Sequence, residues 1–337
     1  MPSSSLPPGP RLPSFAQGFL GARYPISFLE RCQRRFGDCF TMRFPFFGSV
    51  VYVADPAVVE ELFKGDPKRF HAGAANAGPL GPVMGTYSLL TLDEEEHMSQ
   101  RKLLTPAFHG ENVRRYGELM EEIAERELER WPEGESFPLR PRMHAIALEV
   151  ILRAVFGVRE EERLRQLRLR ITRLGQVSSL VVWLPGLRRN LGRWSPWMRF
   201  LRARAAVDEL LYDEIARRRA DPGATERQDV LSLLLQARHD DGTPMSVDEL
   251  RDELMTLLGA GHETTATALA WTFERLVRHP TVLERLIESL EAGEDEYLDA
   301  VVKETLRVRP VVADVARKLV ADTKIKGHTI PGGTIVL

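Results

Sequence analysis

Residues 254–271 read LMTLLGAGHETTATALAW, and this stretch decides the fold. It is apolar, and its small side chains recur at helical spacing, so it predicts a buried helix. One stripe of that helix consists of Leu257, Gly261, Thr264 and Ala268. Gly259 and Gly261 each cost about 1 kcal/mol relative to alanine in mid-helix. They therefore indicate either close packing against another helix or the approach of a flat ligand.

Polar residues interrupt the apolar pattern of the same stretch. Thr264 and Thr265 can turn their hydroxyls onto carbonyls one turn earlier, which tends to bend a helix and free a backbone group. Glu263 lies beside them. From the residues alone, both a core helix with packing glycines and a catalytic helix are open.

Two motifs carry a resemblance to a known family. Residues 260–265, AGHETT, resemble the small-Gly-x-acid-Thr-Thr/Ser motif of the distal helix in the cytochrome P450 family of haem-thiolate monooxygenases. Residues 303–310, KETLRVRP, are similar to the Glu-x-x-Arg helix of that family. Their order and separation also match the family. The resemblance implies a mainly α fold with small β-sheets (α+β), and a single domain over residues 1–337.

The expected parts of that domain follow from local patterns. Residues from about 24 to 70 are predicted to form a small sheet region with a hairpin, and residues 71–337 a helical region. The distal helix is predicted over about 246–278, with Ser246 and Glu249 as a capping box, and the Glu-x-x-Arg helix over about 295–308. Residues 71–90 are rich in Gly, Ala and Pro and predict a long loop, which in the family covers the substrate.

A basic segment spans residues 164–204 and holds Trp183, Trp194 and Trp197. The resemblance implies that this segment is a mobile roof over the substrate channel. A surface that touches membranes and a partner-binding patch are the alternatives, because Trp and Arg together suit interfaces.

Composition limits the partners and the compartment. The 46 Lys and Arg residues against 48 Asp and Glu residues leave a net charge of −2, which gives no electrostatic case for nucleic acid. Two cysteines are too few for a disulfide scaffold and predict a cytoplasmic protein. The first residues lack a basic region followed by an apolar run, so we expect neither a signal peptide nor a membrane anchor.

The resemblance also implies a cofactor, haem b (iron protoporphyrin IX). His97 and Arg101 lie four residues apart on one predicted helix face, so both can reach one anionic group, and they resemble the family's contact to the haem propionates. Arg317 resembles the arginine that reaches a propionate from the sheet side. A solvated basic patch and a solvated strand arginine are the alternatives. The distal contacts are predicted to be Ala260, Gly261 and Thr264.

The implied reaction inserts one oxygen atom of O2 into an apolar organic substrate, with electrons from a ferredoxin- or flavodoxin-type donor. Glu263 and Thr264 are the predicted catalytic residues, because a hydroxyl beside a carboxylate can relay protons. Glu304 and Arg307 are predicted to be structural, since the family buries this ion pair. Their spacing alone predicts only an exposed pair worth about 0.5 kcal/mol.

No metal ligand is predicted. The family's Phe-Gly-x-Gly-x-x-x-Cys-x-Gly loop does not occur before Leu337, and neither Cys32 nor Cys39 has glycines around it in that pattern. We therefore expect a C-terminally truncated chain that is inactive alone. The alternative is a haem-free binding or regulatory protein derived from the same fold. A His-Glu-x-x-His zinc motif is excluded, because Ala266 follows His262 at the position of the second histidine.

Overall fold

A computed structural model describes residues 6–45, 47–158 and 160–337, with the backbone alone at residues 179, 180 and 183. Its helices are α1 (Ser14–Arg23), α2 (Pro25–Phe36), α3 (Pro56–Lys64), α4 (Ala72–Met84), α5 (Glu94–Leu104), α6 (Glu111–Leu128), α7 (Leu139–Phe156), α8 (Glu161–Trp183), α9 (Pro196–Ala220), α10 (Val230–Gln236), α11 (Val247–Arg278), α12 (Pro280–Glu291) and α13 (Glu296–Val308). Its strands are β1 (Cys39–Phe44), β2 (Gly48–Val53), β3 (Phe70–His71), β4 (Arg317–Leu319), β5 (Thr323–Ile325), β6 (His328–Ile330) and β7 (Ile335–Val336). Trp183 ends α8, and its side chain lies outside the described part.

The chain divides into two compact units. The first contains the residues up to Arg101, Leu174–Ala205 and Asp314–Leu337, and it holds both sheets. The second contains Lys102–Arg173 and Ala206–Ala313, and it holds α6, α7 and α10 to α13. The predicted fold class, mainly helical with small sheets, is confirmed. A single domain stays a prediction.

A five-stranded sheet in the order β1-β2-β7-β4-β3 forms the centre of the first unit. The hairpin predicted there is confirmed: β1 and β2 pair antiparallel from Cys39 opposite Val53 to Phe44 opposite Gly48. β7 joins β2 in parallel. One face of the sheet is held by a cluster of buried apolar side chains: Cys39, Val51, Val53, Phe70, Leu319, Ile325, Ile330 and Val336. Burial of such side chains is the main term that stabilises the unit.

The loop predicted over residues 71–90 is wrong, because residues 72–84 form the helix α4. Its first amides are capped from a distance: Asp93 accepts hydrogen bonds from the backbone nitrogens of Gly73 (2.8 Å) and Ala74 (2.7 Å). Pro82 lacks the N–H that would bond the carbonyl of Gly78, and Arg188 Nη1 donates to that carbonyl at 2.8 Å instead. Side chains remote in sequence therefore compensate for a helix with a poor local sequence.

Two glycines of α4 should respond oppositely to alanine. A Cβ at Gly73 would lie 2.3 Å from the carbonyl oxygen of Leu92, whereas a Cβ at Gly78 would meet nothing within 4 Å. We expect Gly73→Ala to lower the free energy of unfolding by about 2–3 kcal/mol, because backbone cannot yield as a side chain can. Gly78→Ala should raise it by about 0.5–1 kcal/mol through helix propensity. Urea denaturation measures both, and equal effects would contradict the close approach.

The helix predicted over about residues 246–278 is confirmed as α11, the 32-residue helix at the centre of the second unit, and its distal position at a cofactor stays a prediction. The predicted capping box begins it: Ser246 Oγ accepts from the nitrogen of Glu249 at 3.1 Å, and Glu249 Oε2 accepts from the nitrogen of Ser246 at 2.7 Å. His279 follows the last turn, and Pro280 starts α12. These local signals fix both ends of the helix.

Helix α11 packs on α7 through small side chains. Met143 and Ala147 of α7 and Ala266 of α11 form a buried cluster, with partly buried apolar neighbours around it. The small residues let the two helix backbones approach closely. On the other side of the unit, Leu276, Leu286 and Val301 join α11 to α12 and α13. Within the described ranges, none of the helices combines the length and apolar character needed to cross a bilayer.

Candidate functional site

The predicted distal residues lie on the middle turns of α11. Thr264 donates its hydroxyl hydrogen to the carbonyl oxygen of Ala260, with 2.5 Å between the two oxygens. This is the bond to the preceding turn that the threonine pattern predicts. Ala260 is exposed and Thr264 is partly exposed. The second unit therefore presents a small side chain and a hydroxyl, one turn apart on the same helix face.

Gly261 has a packing reason to be glycine. A Cβ at this position would lie 2.4 Å from Cδ1 and 3.1 Å from Cγ1 of Ile151 on α7. Such contacts are shorter than van der Waals distances, so a larger residue would require Ile151 to move. The helix-packing explanation thus applies to Gly261, and its contact with a cofactor stays a prediction.

Glu263 turns toward α7 and not toward Thr264. Its Oε1 accepts a short hydrogen bond from Arg140, and its Oε2 lies 3.2 Å from Nε2 of His144. Its side chain is 47% exposed. Within the described part of the chain, Glu263 and Thr264 make no direct hydrogen bond. A proton passing between them would need a bridging water.

His262 lies beside this group. Its ring meets that of His144 edge-to-face, with the centroids 5.2 Å apart and an interplanar angle of 82°. Its Nδ1 lies 2.5 Å from the carbonyl oxygen of Leu258. Burial lowers the pKa of His262, while the Leu258 carbonyl opposes the shift. The imidazole is therefore neutral at physiological pH.

The predicted propionate ligands lie in the first unit. His97 is partly buried on α5, and burial together with the positive charge of Arg101 lowers its pKa. The imidazole ring of His97 has no hydrogen-bond partner among the described residues. Arg101 lies one turn later on α5, as its spacing predicts. The pair thus places the neutral imidazole of His97 beside the charged guanidinium of Arg101.

Arg317 lies at the start of β4. Its guanidinium packs over the ring of Phe63, 5.3 Å from the centroid, and donates to the carbonyl of Ala316 at 2.9 Å. Burial lowers the pKa of Arg317, and the nearby charge of Asp93 opposes that shift. In the part of the chain that the structure covers, Arg317 forms no ion pair with a carboxylate. A partly buried arginine in this state is suited to receive an anion.

The Glu304–Arg307 pair forms with the predicted spacing but is not buried. Two hydrogen bonds of 2.7 Å join the guanidinium to both carboxylate oxygens. The arginine side chain is 70% exposed and the glutamate side chain 60% exposed. The hydrogen bonds from Arg307 lower the pKa of Glu304. The expected burial is thus not met, and a structural role stays a prediction.

Both cysteines are free and buried in the first unit. Cys32 lies on α2 against Phe28, Phe40 and Met42, and Cys39 lies on β1 in the sheet cluster. Burial raises the pKa of Cys32, and it raises that of Cys39 to about 11. Both side chains are therefore protonated thiols, which do not ligate metals.

Sequence reasoning missed three residues around these groups. Arg140 and His144 show the same four-residue spacing as His97 and Arg101, so the criterion used for one pair could have found the other. Their contact with Glu263, however, depends on how α7 packs on α11. Asp93 directly precedes α5 in the sequence, but its side chain caps α4.

Comparisons with known proteins agree with this architecture. The cytochrome P450 family model matches residues 6–337. The chain is 43% identical over 344 residues to "Putative cytochrome P450 135B1" of Mycobacterium tuberculosis, covering 99% of this chain and 72% of that protein. It is 39% identical over 336 residues to "Putative cytochrome P450 135A1" of the same organism, covering 99% and 74%.

Solved structures show the same fold. The retinoic acid-bound cyanobacterial CYP120A1 is 27% identical, with a TM-score of 0.82 over 99% of this chain and 76% of that chain. The haem domain of cytochrome P450DA has a TM-score of 0.84 at 23% identity, over 98% and 76%, and shows the fold alone. The family match, the curated relatives and the fold together show that this chain belongs to the cytochrome P450 family of haem-dependent monooxygenases.

Proposed function

We propose that this protein is a haem b-dependent monooxygenase that inserts one oxygen atom of O2 into an apolar organic substrate. The observation that carries the proposal is the turn of α11 that presents exposed Ala260 and the hydroxyl of Thr264, in a chain that belongs to the P450 family. A small side chain leaves room for a flat ligand, and a hydroxyl can handle protons.

The residues of the first unit suit the carboxylates of such a cofactor. Arg317 is a partly buried cation that pairs with no carboxylate, and His97 has a ring without a hydrogen-bond partner, in both cases among the described residues. Such donors cost free energy unless an anion or water satisfies them. We assign haem propionates to His97, Arg101 and Arg317. This assignment is supported by the chemistry of the donors.

Bound haem would supply the iron that activates O2. In this chain, Thr264 would hold a proton on Oγ1, and rotation about its side-chain bond would release the Ala260 carbonyl and offer that proton to a neighbour. Glu263 would replenish it through water, because the carboxylate is partly exposed and Arg140 and His144 keep it in place. Neither cysteine of residues 1–337 is suited to ligate the haem iron, since both are buried thiols.

The proposal also covers the substrate, the electron donor and the location of the protein. The cyanobacterial relative holds retinoic acid, which is apolar along most of its length, and this supports an apolar substrate here. Electrons are proposed to come from a ferredoxin- or flavodoxin-type donor. Two free cysteines support a cytoplasmic location.

The test of the function is spectroscopic and catalytic. The protein should be produced with the cysteine ligand loop that the family carries beyond the matched residues, and after haem loading it should show the absorption of a thiolate-ligated haem in its CO-bound ferrous state. It should also convert an apolar substrate to a hydroxylated product that carries oxygen from labelled O2. Protein that forms neither the spectrum nor the product would contradict the proposal.

The propionate assignment predicts a change in the titration of His97. In the haem-free chain we expect its pKa to lie below the ordinary value, because burial and Arg101 disfavour the charged ring. Protoporphyrin IX, which needs no iron ligand, should raise this pKa, because a carboxylate beside the ring favours its charged form. NMR titration of the histidines measures the shift. The dimethyl ester of the same porphyrin lacks the carboxylates and is the matched control, so an equal shift with the ester would refute the assignment.

A further inference from the structure

Three side chains at the α7–α11 contact form a cluster with metal-ligand chemistry. His144 of α7 and His262 and Glu263 of α11 each offer one nitrogen or oxygen atom, and these atoms lie within 4.8 Å of one another. The sequence motif contains only two of the three residues, because the zinc motif that begins at His262 has alanine where its second histidine belongs. The second imidazole comes instead from α7.

The hydrogen bond of His262 defines which of its nitrogens can bind a metal. Nδ1 lies 2.5 Å from the carbonyl oxygen of Leu258. A carbonyl oxygen can only accept, so Nδ1 carries the hydrogen and Nε2 keeps its lone pair. Metal-binding histidines in proteins are held in the same way, with the other ring nitrogen donating to a backbone carbonyl or a carboxylate.

The carboxylate of Glu263 is held from one side and open on the other. Arg140 donates to Oε1, whereas Oε2 lies 3.2 Å from Nε2 of His144. Ligand atoms of a tetrahedral zinc ion lie about 3.3–3.6 Å apart when the bonds are about 2.0–2.2 Å. The His144–Glu263 pair has nearly this spacing already. The ion would lie between these two atoms.

The remaining adjustment is small, and the site is accessible. The side chain of His144 is 28% exposed and that of Glu263 is 47% exposed, so both can move toward His262, whose ligand atom lies within 4.8 Å of theirs. Two imidazoles and one carboxylate select borderline transition metals over Mg²⁺ and Ca²⁺, which prefer all-oxygen sites. We propose that His144, His262 and Glu263 bind a divalent transition metal ion of the Zn²⁺ type, with water in the open position.

The consequence is a metal cross-link between α7 and α11, in addition to their apolar contacts and the Arg140–Glu263 ion pair. A metal ion that binds only the folded state raises its stability by mass action. This part of the inference does not depend on oxygen chemistry. Where the proposed function holds, the same ion would occupy Glu263 and prevent proton delivery, and that effect alone rests on the proposed function.

Calorimetric titration of the haem-free chain with Zn²⁺ tests the site. We expect binding of one equivalent, and we expect His144→Ala and His262→Ala each to weaken it by about tenfold or more. His239→Ala is the matched control, because His239 lies 3.3 Å from Glu249 in a histidine–carboxylate pair of the same unit that belongs to no three-ligand cluster among the described residues. The control should bind Zn²⁺ like the parent chain, and Mg²⁺ should give no binding.

A second readout covers a variant that folds poorly. Zn²⁺ should raise the melting temperature of the parent chain and of His239→Ala, but not that of His144→Ala, whose side chain is at the rim of the cluster. Zn²⁺ binding that His144→Ala leaves unchanged would overturn the site. Absence of any Zn²⁺ binding to the parent chain would overturn it as well, and neither result would bear on the haem spectrum or the product of the proposed reaction.

Discussion

Thr264→Ala in haem-loaded protein that carries the family's cysteine ligand loop is expected to form about 10²-fold less product while reducing equivalents are still consumed. The hydroxyl is the only proton-carrying group that Thr264 contributes, and it lies one turn from the exposed Ala260. Without the hydroxyl, electrons from the donor should reduce O2 to hydrogen peroxide instead of supporting hydroxylation of the substrate. Parallel measurement of donor oxidation, peroxide and product checks this, and an unchanged ratio of product to donor oxidised would exclude the relay.

Thr272→Ala is the matched control for this substitution. Thr272 lies two turns later on α11, and its hydroxyl donates to the carbonyl of Ala268 at 3.0 Å. The same type of helix bond is thus lost at a position to which no proton transfer is assigned. If Thr272→Ala uncouples the reaction as strongly as Thr264→Ala, helix geometry and not the proton is responsible.

Arg218→Met is expected to lower the free energy of unfolding by about 3–5 kcal/mol, because it leaves a buried carboxylate without its partner. The side chain of Arg218 is 3% exposed. Its Nη1 lies 2.6 Å from both carboxylate oxygens of Asp229, and its Nη2 donates to the carbonyl of Phe156 at 2.6 Å. Asp229 also caps α10 by accepting from the nitrogen of Ser232. One guanidinium therefore joins α9, the end of α7 and the start of α10.

Arg217→Met separates this effect from the general loss of an arginine. Arg217 is the neighbouring residue, its side chain is 61% exposed, and it pairs with Asp213 at 3.1 Å. An exposed pair contributes only about 0.2–1 kcal/mol, so the control should unfold close to the parent chain. Urea denaturation compares them, and coincident midpoints for both variants would show that the buried network stabilises little.

Local signals made part of the fold predictable. Ser246, Glu249 and Pro280 mark the ends of α11 within a few residues of each end, so one sequence suffices to place it. Helix α4 was not predictable in this way. Asp93 caps its first turn, and Arg188 donates to the Gly78 carbonyl in place of the N–H that Pro82 lacks. Both residues are distant in the sequence, so no local rule connects them to α4.

The candidate functional site was likewise predictable only in part. A motif within one turn identified Glu263 and Thr264, because both residues lie together in the sequence. The sequence could not predict the direction of each side chain, because the contacts of Glu263 depend on how α7 packs against α11. Gly261 shows the same limit: its proximity to Ile151 is a property of two helices and not of either sequence.

The parallel pairing of β2 with β7 has a consequence for the order of assembly. Val51 pairs with Val336, and the nitrogen of Val53 donates to the carbonyl of Leu337. During synthesis, β2 therefore lacks its parallel partner until residues at least 284 positions later in the chain have been made. At ribosomal rates that interval lasts about 15–60 s. During it, β2 presents an unpaired edge, which is a template for association with other chains. Nascent protein is thus expected to need chaperone protection until this strand emerges.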